Sequence, residues 1–373
     1  MKKIFIAVNS SWNIVNFRKG LINKLISNNY EVSVISPSDE YLNDLIKLGC
    51  SHINIVMDKK GTNPIRDFKY FFNIFFLLYS KKPDVLFCYT IKPNIYASIA
   101  SKLLGIPVIN NITGLGRSFI KKNFLTMIVK FLYKISLLRS KKIFFQNIDD
   151  LNLFKNLKLI NNDKTVELLP GSGINLNTFF YDKNFSYRDS TQVNFIMISR
   201  LLWDKGVEEF VEASKLIKKN LSNINFFLLG SNDDENPSSI PNLVIKKWIE
   251  EGVFTYLGYS KDVRKFIKDS DCVVLPSYRE GAPKSLLEAC AIGRPIIATD
   301  VPGCRDIVEN ELNGYLCKNK DPKDLAEKMH RIIKLNHKER VIMGLNGRKK
   351  VEKEFDETIV INKYVQALNL IFK

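Results

Sequence analysis

Residues 272–299 read CVVLPSYREGAPKSLLEACAIGRPIIAT. An unbroken apolar run, CVVLPS, gives way to a turn, then to a helix-forming stretch that opens near Pro283, then to a second apolar run from Pro295. Strand, crossover helix and strand make the unit of a parallel sheet. Strands buried on both faces lose the alternation of polar and apolar residues. The turn also carries chemistry. Glu280 in the loop and Glu288 in the helix stand eight residues apart. Exposed N–H groups at a helix N-terminus suit a diphosphate, and a carboxylate accepts hydrogen bonds from vicinal hydroxyls. The pattern suits a sugar nucleotide, Glu280 reaching the hexose and Glu288 the ribose. Two glutamates at this spacing also occur on solvated helices, so the neighbouring residues decide.

Similar runs recur along the chain. KIFIAV, EVSVIS, INIV, DVLFCYT, PVIN and KKIFFQN come first; NFIMIS, INFFLLG and FTYLG precede CVVLPS and PIIATD. Helical patterns separate them, so the 373 residues read as two successive α/β domains, each doubly wound and Rossmann-like. The first is placed at 1–178 and the second at 191–355, with the aperiodic stretch after LLPGSGIN as linker. The last segment, 356–373, is expected to cross back to the first domain as a helix. Open α/β sheets bind ligands at the carboxyl ends of their strands, so the expected active site lies where two such domains face each other across a cleft.

The six cysteines form no C-x-x-C pair and several sit in apolar runs, which favours reduced, buried thiols and a cytoplasmic setting without a zinc site. The opening MKKIFIAVNSSW reads as a buried strand, too short in apolar residues for a signal peptide. The net charge of +17 is lopsided. Residues 1–190 hold 27 Lys/Arg against 13 Asp/Glu, and residues 191–373 hold 29 against 26. The first half therefore meets something anionic: nucleic acid, anionic lipid or a diphosphate-linked substrate. Its basic residues are not interleaved with aromatic ones as in a nucleic-acid groove, and no recognition motif is present, so no nucleic acid is expected.

Two stretches resemble membrane segments. FKYFFNIFFLLY is too short to span a bilayer, which takes about 20 residues, and reads as a buried helix. KKNFLTMIVKFLYKISLLRSKK is apolar except for Lys122, Thr126, Lys130 and Lys134 at four-residue spacing. Two readings stay open: a helix lying in anionic headgroups through Lys122, Lys130 and Lys134, or a core helix whose solvated stripe is lysine.

Upstream, ISRLLWDKGVEEF places Arg200 at a strand end and Lys205 before a helix start. Both positions project toward the ligand crevice, where a guanidinium and an ammonium can clamp a diphosphate and stabilise its charge as it leaves.

The combination of R-x4-KG, YLGYSKD and VVLPSYREGAPKSLLEACAIGRPIIATDVPG resembles the second domain of the retaining glycosyltransferases of family 4, which have the GT-B fold. YTIKPNIYASIASKLLGIPVINNITGLGRSF is similar to a bacterial branch that builds glycans on undecaprenyl diphosphate, and the likeness covers nearly the whole chain. The resemblance implies that Arg200, Lys205 and Glu280 are catalytic. Glu288 would hold the ribose, and Gly281, Ala282, Pro283 and Ser285 would line the donor. Leu257 and Tyr259 would frame the base, with Asn9 and Ser10 closing on the phosphates. Thr90, Lys92, Asn94, Thr113, Gly114 and Arg117 would line the acceptor. It implies a UDP-sugar donor, UDP-N-acetylgalactosamine in the leading reading, and a polyprenyl-diphosphate-linked acceptor. The protein would sit peripherally on the inner face of the cytoplasmic membrane. A galactose or glucose donor is the alternative within the fold.

Many relatives carry a first-domain histidine near the reacting carbon, whereas this chain has only His52, His330 and His337, so no base is named. No cofactor and no metal are expected. Asp269-Ser270-Asp271 spells D-x-D, but it ends a helix and enters a strand, where aspartate turns or caps the chain. Gly114-Leu115-Gly116 and Gly171-Ser172-Gly173 lack the third glycine and the downstream carboxylate of a dinucleotide fingerprint.

Overall fold

The apolar runs become two wholly parallel sheets. In the computed structural model, residues 1–58, 61, 63–114, 124–160, 165–182, 192–233 and 236–373 are described. The chain divides into two units, residues 1–173 with 357–373, and residues 174–356. In the first, β1 (Lys3–Ala7), β2 (Glu31–Ser36), β3 (Ser51–Asn54), β4 (Val85–Tyr89), β5 (Val108–Ile112), β6 (Lys142–Phe145) and β7 (Val166–Leu168) are ordered β3-β2-β1-β4-β5-β6-β7. In the second, β8 (Val193–Ile198), β9 (Ile224–Leu229), β10 (Thr255–Tyr256), β11 (Cys272–Leu275), β12 (Ile296–Thr299) and β13 (Gly314–Cys317) are ordered β10-β9-β8-β11-β12-β13. Both orders reverse direction once, between β1 and β4 and between β8 and β11. Such a reversal splays the two following loops apart and leaves a crevice at the carboxyl ends.

Each sheet is buried on both faces, as the lack of alternation requires. Ile4 and Ile6 of β1 enter one core while Phe5 and Ala7 enter another. In β8, Phe195 and Met197 face helices Val207–Lys218 and Pro322–Lys334, and Ile196 faces helices Lys284–Ile292 and His337–Glu354. All six cysteines are free and buried. Burial pushes the thiols of Cys88 and Cys290 up to about 12, which removes them as nucleophiles at neutral pH.

Several details differ from the sequence reading. Strands β7 and β13 went unrecognised because runs of three and four residues carry too little periodicity. The division between units falls after Gly173, not after residue 178, because Ile174 donates its N–H to Phe355 O at 2.8 Å and is buried among second-unit residues. FKYFFNIFFLLY is not a buried helix. It lies in helix Pro64–Lys81, which buries Tyr70, Ile74 and Leu78 and exposes Phe68, Phe72, Phe76 and Tyr79. A helix covering one sheet face has only one side to bury. Helix Phe124–Leu137 likewise departs from both readings. Thr126, assigned to the solvated stripe, is buried, while Met127 and Phe131 are exposed beside Lys134 and Lys130 is half-buried. Lys122 lies outside the described residues.

The final helix, Glu357–Phe372, packs against helix Lys19–Ser27 in the first unit. Its Tyr364 is 1 % exposed, meets the rings of Phe87 and Phe144, and accepts a hydrogen bond from Asn111 Nδ2 at 2.8 Å. Tyr364→Ala is expected to cost about 3–5 kcal/mol in the first unit's urea unfolding transition, and Tyr364→Phe about 1–3 kcal/mol by orphaning the Asn111 amide.

Candidate functional site

In the second unit the loops after β8 and β11, with the helix that follows β11, carry most of the expected catalytic and donor residues. The chain leaves β8 through Ser199 and Arg200, makes a short 3-10 turn at Trp203–Lys205, and enters helix Val207–Lys218 at Gly206. Gly206 has φ +73°, and a Cβ there would stand 2.0 Å from Pro276 O. Only glycine permits both the left-handed backbone and this approach to the loop after β11. Tyr278 N–H and Ser277 Oγ both donate to Asp204 O, at 2.9 and 3.1 Å, and the Thr299 hydroxyl donates to Ser277 O. The two loops are thereby tied together along their backbones.

Their side chains meet as a result. Lys205 Nζ pairs with Glu280 Oε1, the ammonium side chain 21 % and the carboxylate 11 % exposed. Glu280 N–H donates to Pro302 O at 3.3 Å, which fixes the loop that carries it. Arg200 is half-exposed and pairs through Nη1 with Asp233 Oδ2 at 3.1 Å. Asp233 lies in the stretch GSNDDENPSS, residues 230–239, where no spacing marks it as the partner of Arg200. Leu257 and Tyr259 follow β10, where Gly258 O accepts from Gly230 N–H at 2.7 Å, and Tyr259 is exposed.

Helix Lys284–Ile292 starts at Pro283 with no side-chain cap and no acid in its first turn, so the positive end of its dipole stays uncompensated. Glu288 is 6 % exposed and lies 3.2 Å from Lys284 Nζ. Burial holds its carboxyl above the ordinary carboxylate range, and the Lys284 ammonium only partly opposes this. The D-x-D segment is tied to β8. Asp271 Oδ2 accepts from Asn194 N–H at 2.8 Å, and Asp269 O accepts from Asn194 Nδ2 at 3.2 Å.

The first unit has its own crevice, between β1 and β4. Asn9 and Ser10 follow β1, and Thr90, at φ +65°, follows β4. Asn9 Oδ1, Asn13 Oδ1 and Thr90 Oγ1 are buried without hydrogen-bond partners. Leaving such an atom unsatisfied costs about 1–3 kcal/mol, so Asn9 and Thr90, just past the carboxyl ends of β1 and β4, would gain from a polar ligand. Ser10 caps helix Ser11–Phe17 by accepting from Asn13 N–H at 3.3 Å. Lys92 is held by Asp67 at 2.5 Å. Asn94 is not an acceptor residue. It is 1 % exposed, donates to Thr90 O and Asn111 O, and accepts from Asn110 Nδ2, so every polar atom is used internally. Thr113 and Gly114 follow β5, and Arg117 lies outside the described residues. Arg18, within the SSWNIVNFRKG opening, was missed. It is 5 % exposed, stacks 4.3 Å over Tyr89 and donates to Ser172 Oγ at 2.6 Å. Arg18 and Asn111 line a cavity of about 10 Å³, a size that suits one water molecule.

Residues 182–350 match the family model "Glycosyl transferases group 1", and residues 3–147 match "Glycosyl transferase 4-like". The chain is 32 % identical, over 96 % of both chains, to the N,N'-diacetylbacillosaminyl-diphospho-undecaprenol alpha-1,3-N-acetylgalactosaminyltransferase of Campylobacter jejuni. It is 25 % identical, over 88 % of both, to the UDP-Gal:alpha-D-GlcNAc-diphosphoundecaprenol alpha-1,3-galactosyltransferase of Escherichia coli. Among solved structures, Anabaena Alr3699/HepE in complex with UDP and glucose superposes with a TM-score of 0.80 at 14 % identity, over 99 % of this chain and 100 % of that one.

Glu288 has a folded pKa raised above its unfolded value of 4.5. Its burial therefore costs nothing below the unfolded pKa, where both states are protonated, and opposes folding increasingly as pH rises to the folded pKa, above which the cost is full. Glu288→Gln should raise the thermal midpoint at pH 7, with the gain vanishing as pH falls below 4.5; thermal unfolding across pH checks this.

Proposed function

Since the chain belongs to the group 1 glycosyl transferases, we propose that it transfers an N-acetylhexosamine to a sugar carried on undecaprenyl diphosphate. N-acetylgalactosamine from UDP-N-acetylgalactosamine is the leading donor. The observation that carries the site is the Lys205–Glu280 pair at the β8/β11 crevice, beside the uncapped start of helix Lys284–Ile292. Paired to a carboxylate, the ammonium is fixed in direction before any ligand arrives.

The roles follow from the charges. The donor diphosphate lies at the helix N-terminus with Arg200 and Lys205 upon it. A unit charge about 4 Å away at an effective dielectric of about 20 is worth about 4 kcal/mol. Negative charge accumulates on the diphosphate as the sugar leaves, so both cations favour the transition state over the ground state. Glu280 keeps one oxygen for the hexose hydroxyls, and Glu288 accepts from the ribose. In a retaining transfer the departing diphosphate takes the acceptor proton, and no side-chain base is required. Two fixed cations do the work that a metal ion does elsewhere, which supports turnover without one. Orphaned Asn9 and Thr90 supply hydrogen bonds to the acceptor. The lipid-linked acceptor makes this a peripheral protein working at the inner face of a cytoplasmic membrane.

A hexose donor is the second reading, supported by the galactosyltransferase named in the E. coli relative. An acetamido group and a hydroxyl differ by contacts that one or two pocket residues supply.

Transfer in detergent from a panel of UDP-sugars to polyprenyl-diphosphate-linked bacillosamine, with EDTA present and the lipid product weighed by mass spectrometry, tests the reading. Addition of one N-acetylhexosamine from UDP-N-acetylgalactosamine is expected, and transfer of a plain hexose instead would install the second reading. Lys205→Ala should lower kcat at least about a hundredfold with an unchanged circular-dichroism spectrum, as loss of a transition-state charge contact does. Full activity of that variant would remove Lys205 from the site.

A further inference from the structure

Three helices form one layer over a face of the first sheet. Helix Ser98–Leu103 touches Pro64–Lys81 on one side and Phe124–Leu137 on the other. The outward surface of this layer is apolar where a water-facing surface is ordinarily polar. Ile65, Phe68, Phe72, Phe76 and Tyr79 are 39–79 % exposed and recur at steps of three and four along helix Pro64–Lys81. At 1.5 Å per residue the stripe runs for roughly 21 Å. Met127 and Phe131, 60 % and 62 % exposed, extend the apolar surface onto helix Phe124–Leu137.

The unpaired charges at this surface are basic, and Asp58 is paired with Arg66 at 3.6 Å. Asp67, the acid of helix Pro64–Lys81, turns inward to Lys92 and Tyr96. Lys69 and Lys134 are exposed and, among the described residues, form no ion pair. A cavity of about 220 Å³ opens in the same layer, between the end of helix Ser98–Leu103 and the chain just past Leu137. Lys102, Arg139 and Lys141 line it, none paired with a carboxylate among the described residues, together with Leu138, itself 39 % exposed. This cavity lies at the amino ends of β5 and β6, the opposite edge of the first sheet from Asn9 and Thr90.

We propose that this layer is a docking surface for an anionic lipid bilayer, the aromatic stripe of helix Pro64–Lys81 entering the headgroup region while Lys102, Arg139 and Lys141 take a lipid phosphate. Aromatic side chains with flanking cations suit that interface, where an apolar body and a charge are both satisfied. Among the described residues no helix is long and apolar enough to cross a membrane, so this contact lies along the surface. A second copy of the chain is a poorer occupant, because it would set the same unpaired cations against each other. The proposal rests on the reading of a lipid-linked acceptor, to which it adds the surface that meets the membrane.

Co-sedimentation of the full chain with vesicles tests it, using phosphatidylcholine alone and phosphatidylcholine mixed with phosphatidylglycerol. Wild type should bind the anionic vesicles. Phe68→Ser/Phe72→Ser/Phe76→Ser and, separately, Lys102→Gln/Arg139→Gln/Lys141→Gln should each weaken binding about tenfold or more. Both variants should keep detergent-phase transfer within about twofold of wild type, since neither set lies in the substrate crevices. Phe72→Ser alone serves if the first triple variant misfolds. Unchanged vesicle binding in either variant overturns the proposal. So does a wild-type chain that ignores anionic vesicles, or a dimer in analytical ultracentrifugation that Phe72→Ser dissolves. Vesicle binding without transfer would instead sink the reading of the acceptor and leave the docking surface standing.

Discussion

The close approach of Gly206 to Pro276 O is the constraint on which the second unit's site depends. Strand order reverses between β8 and β11, so the loops that follow them leave in opposite directions and would diverge. A residue without Cβ lets the first loop turn back against the second, and the hydrogen bonds to Asp204 O lock the contact. Gly303 acts in the same way from the β12 side: at φ +79°, its missing Cβ leaves room for Gly281 O, which would stand 2.5 Å away. Backbone packing of this kind is set before any ligand binds. The Lys205–Glu280 pair follows from it, and so does the placement of the uncapped helix start beside that pair.

Much of this was legible in the sequence because it rests on local rules. Doubly buried strands announce themselves by unbroken apolar runs, and a Pro-Lys-Ser start after a strand announces a helix N-terminus pointing at the crevice. What stayed hidden was direction. The aromatic content of helix Pro64–Lys81 says nothing of which rings face the sheet, and Phe68 and Tyr70 differ only in that. Asn94 and Asn9 look alike as polar residues near strand ends. The fold satisfies every polar atom of Asn94 and leaves Asn9 Oδ1 with none. Asp233 pairs with Arg200 across more than thirty residues of chain, a distance over which no spacing rule operates. Strands as short as β7 and β13 are held by their neighbours and carry little signal of their own.

The two units share a topology and differ in how they treat charge at its crevice. In the second, cations and carboxylates are already paired, and one carboxylate, Glu288, is buried at a cost to its ionised form. In the first, the crevice holds neutral oxygens without partners, and Lys92 is neutralised by Asp67. Hydrogen-bonding atoms of that kind suit hydroxyls and amides, whereas paired charges that can exchange partners suit a diphosphate. The lopsided charge of the sequence is therefore met only in part near the first unit's crevice, where Arg18 stacks over Tyr89. Lys102, Arg139 and Lys141 stand on the outer helix layer at the other end of the sheet, unpaired with any carboxylate among the described residues. Cations on that layer act locally and not at the crevice, since screening over about 10 Å confines each one's influence to its own side of the unit.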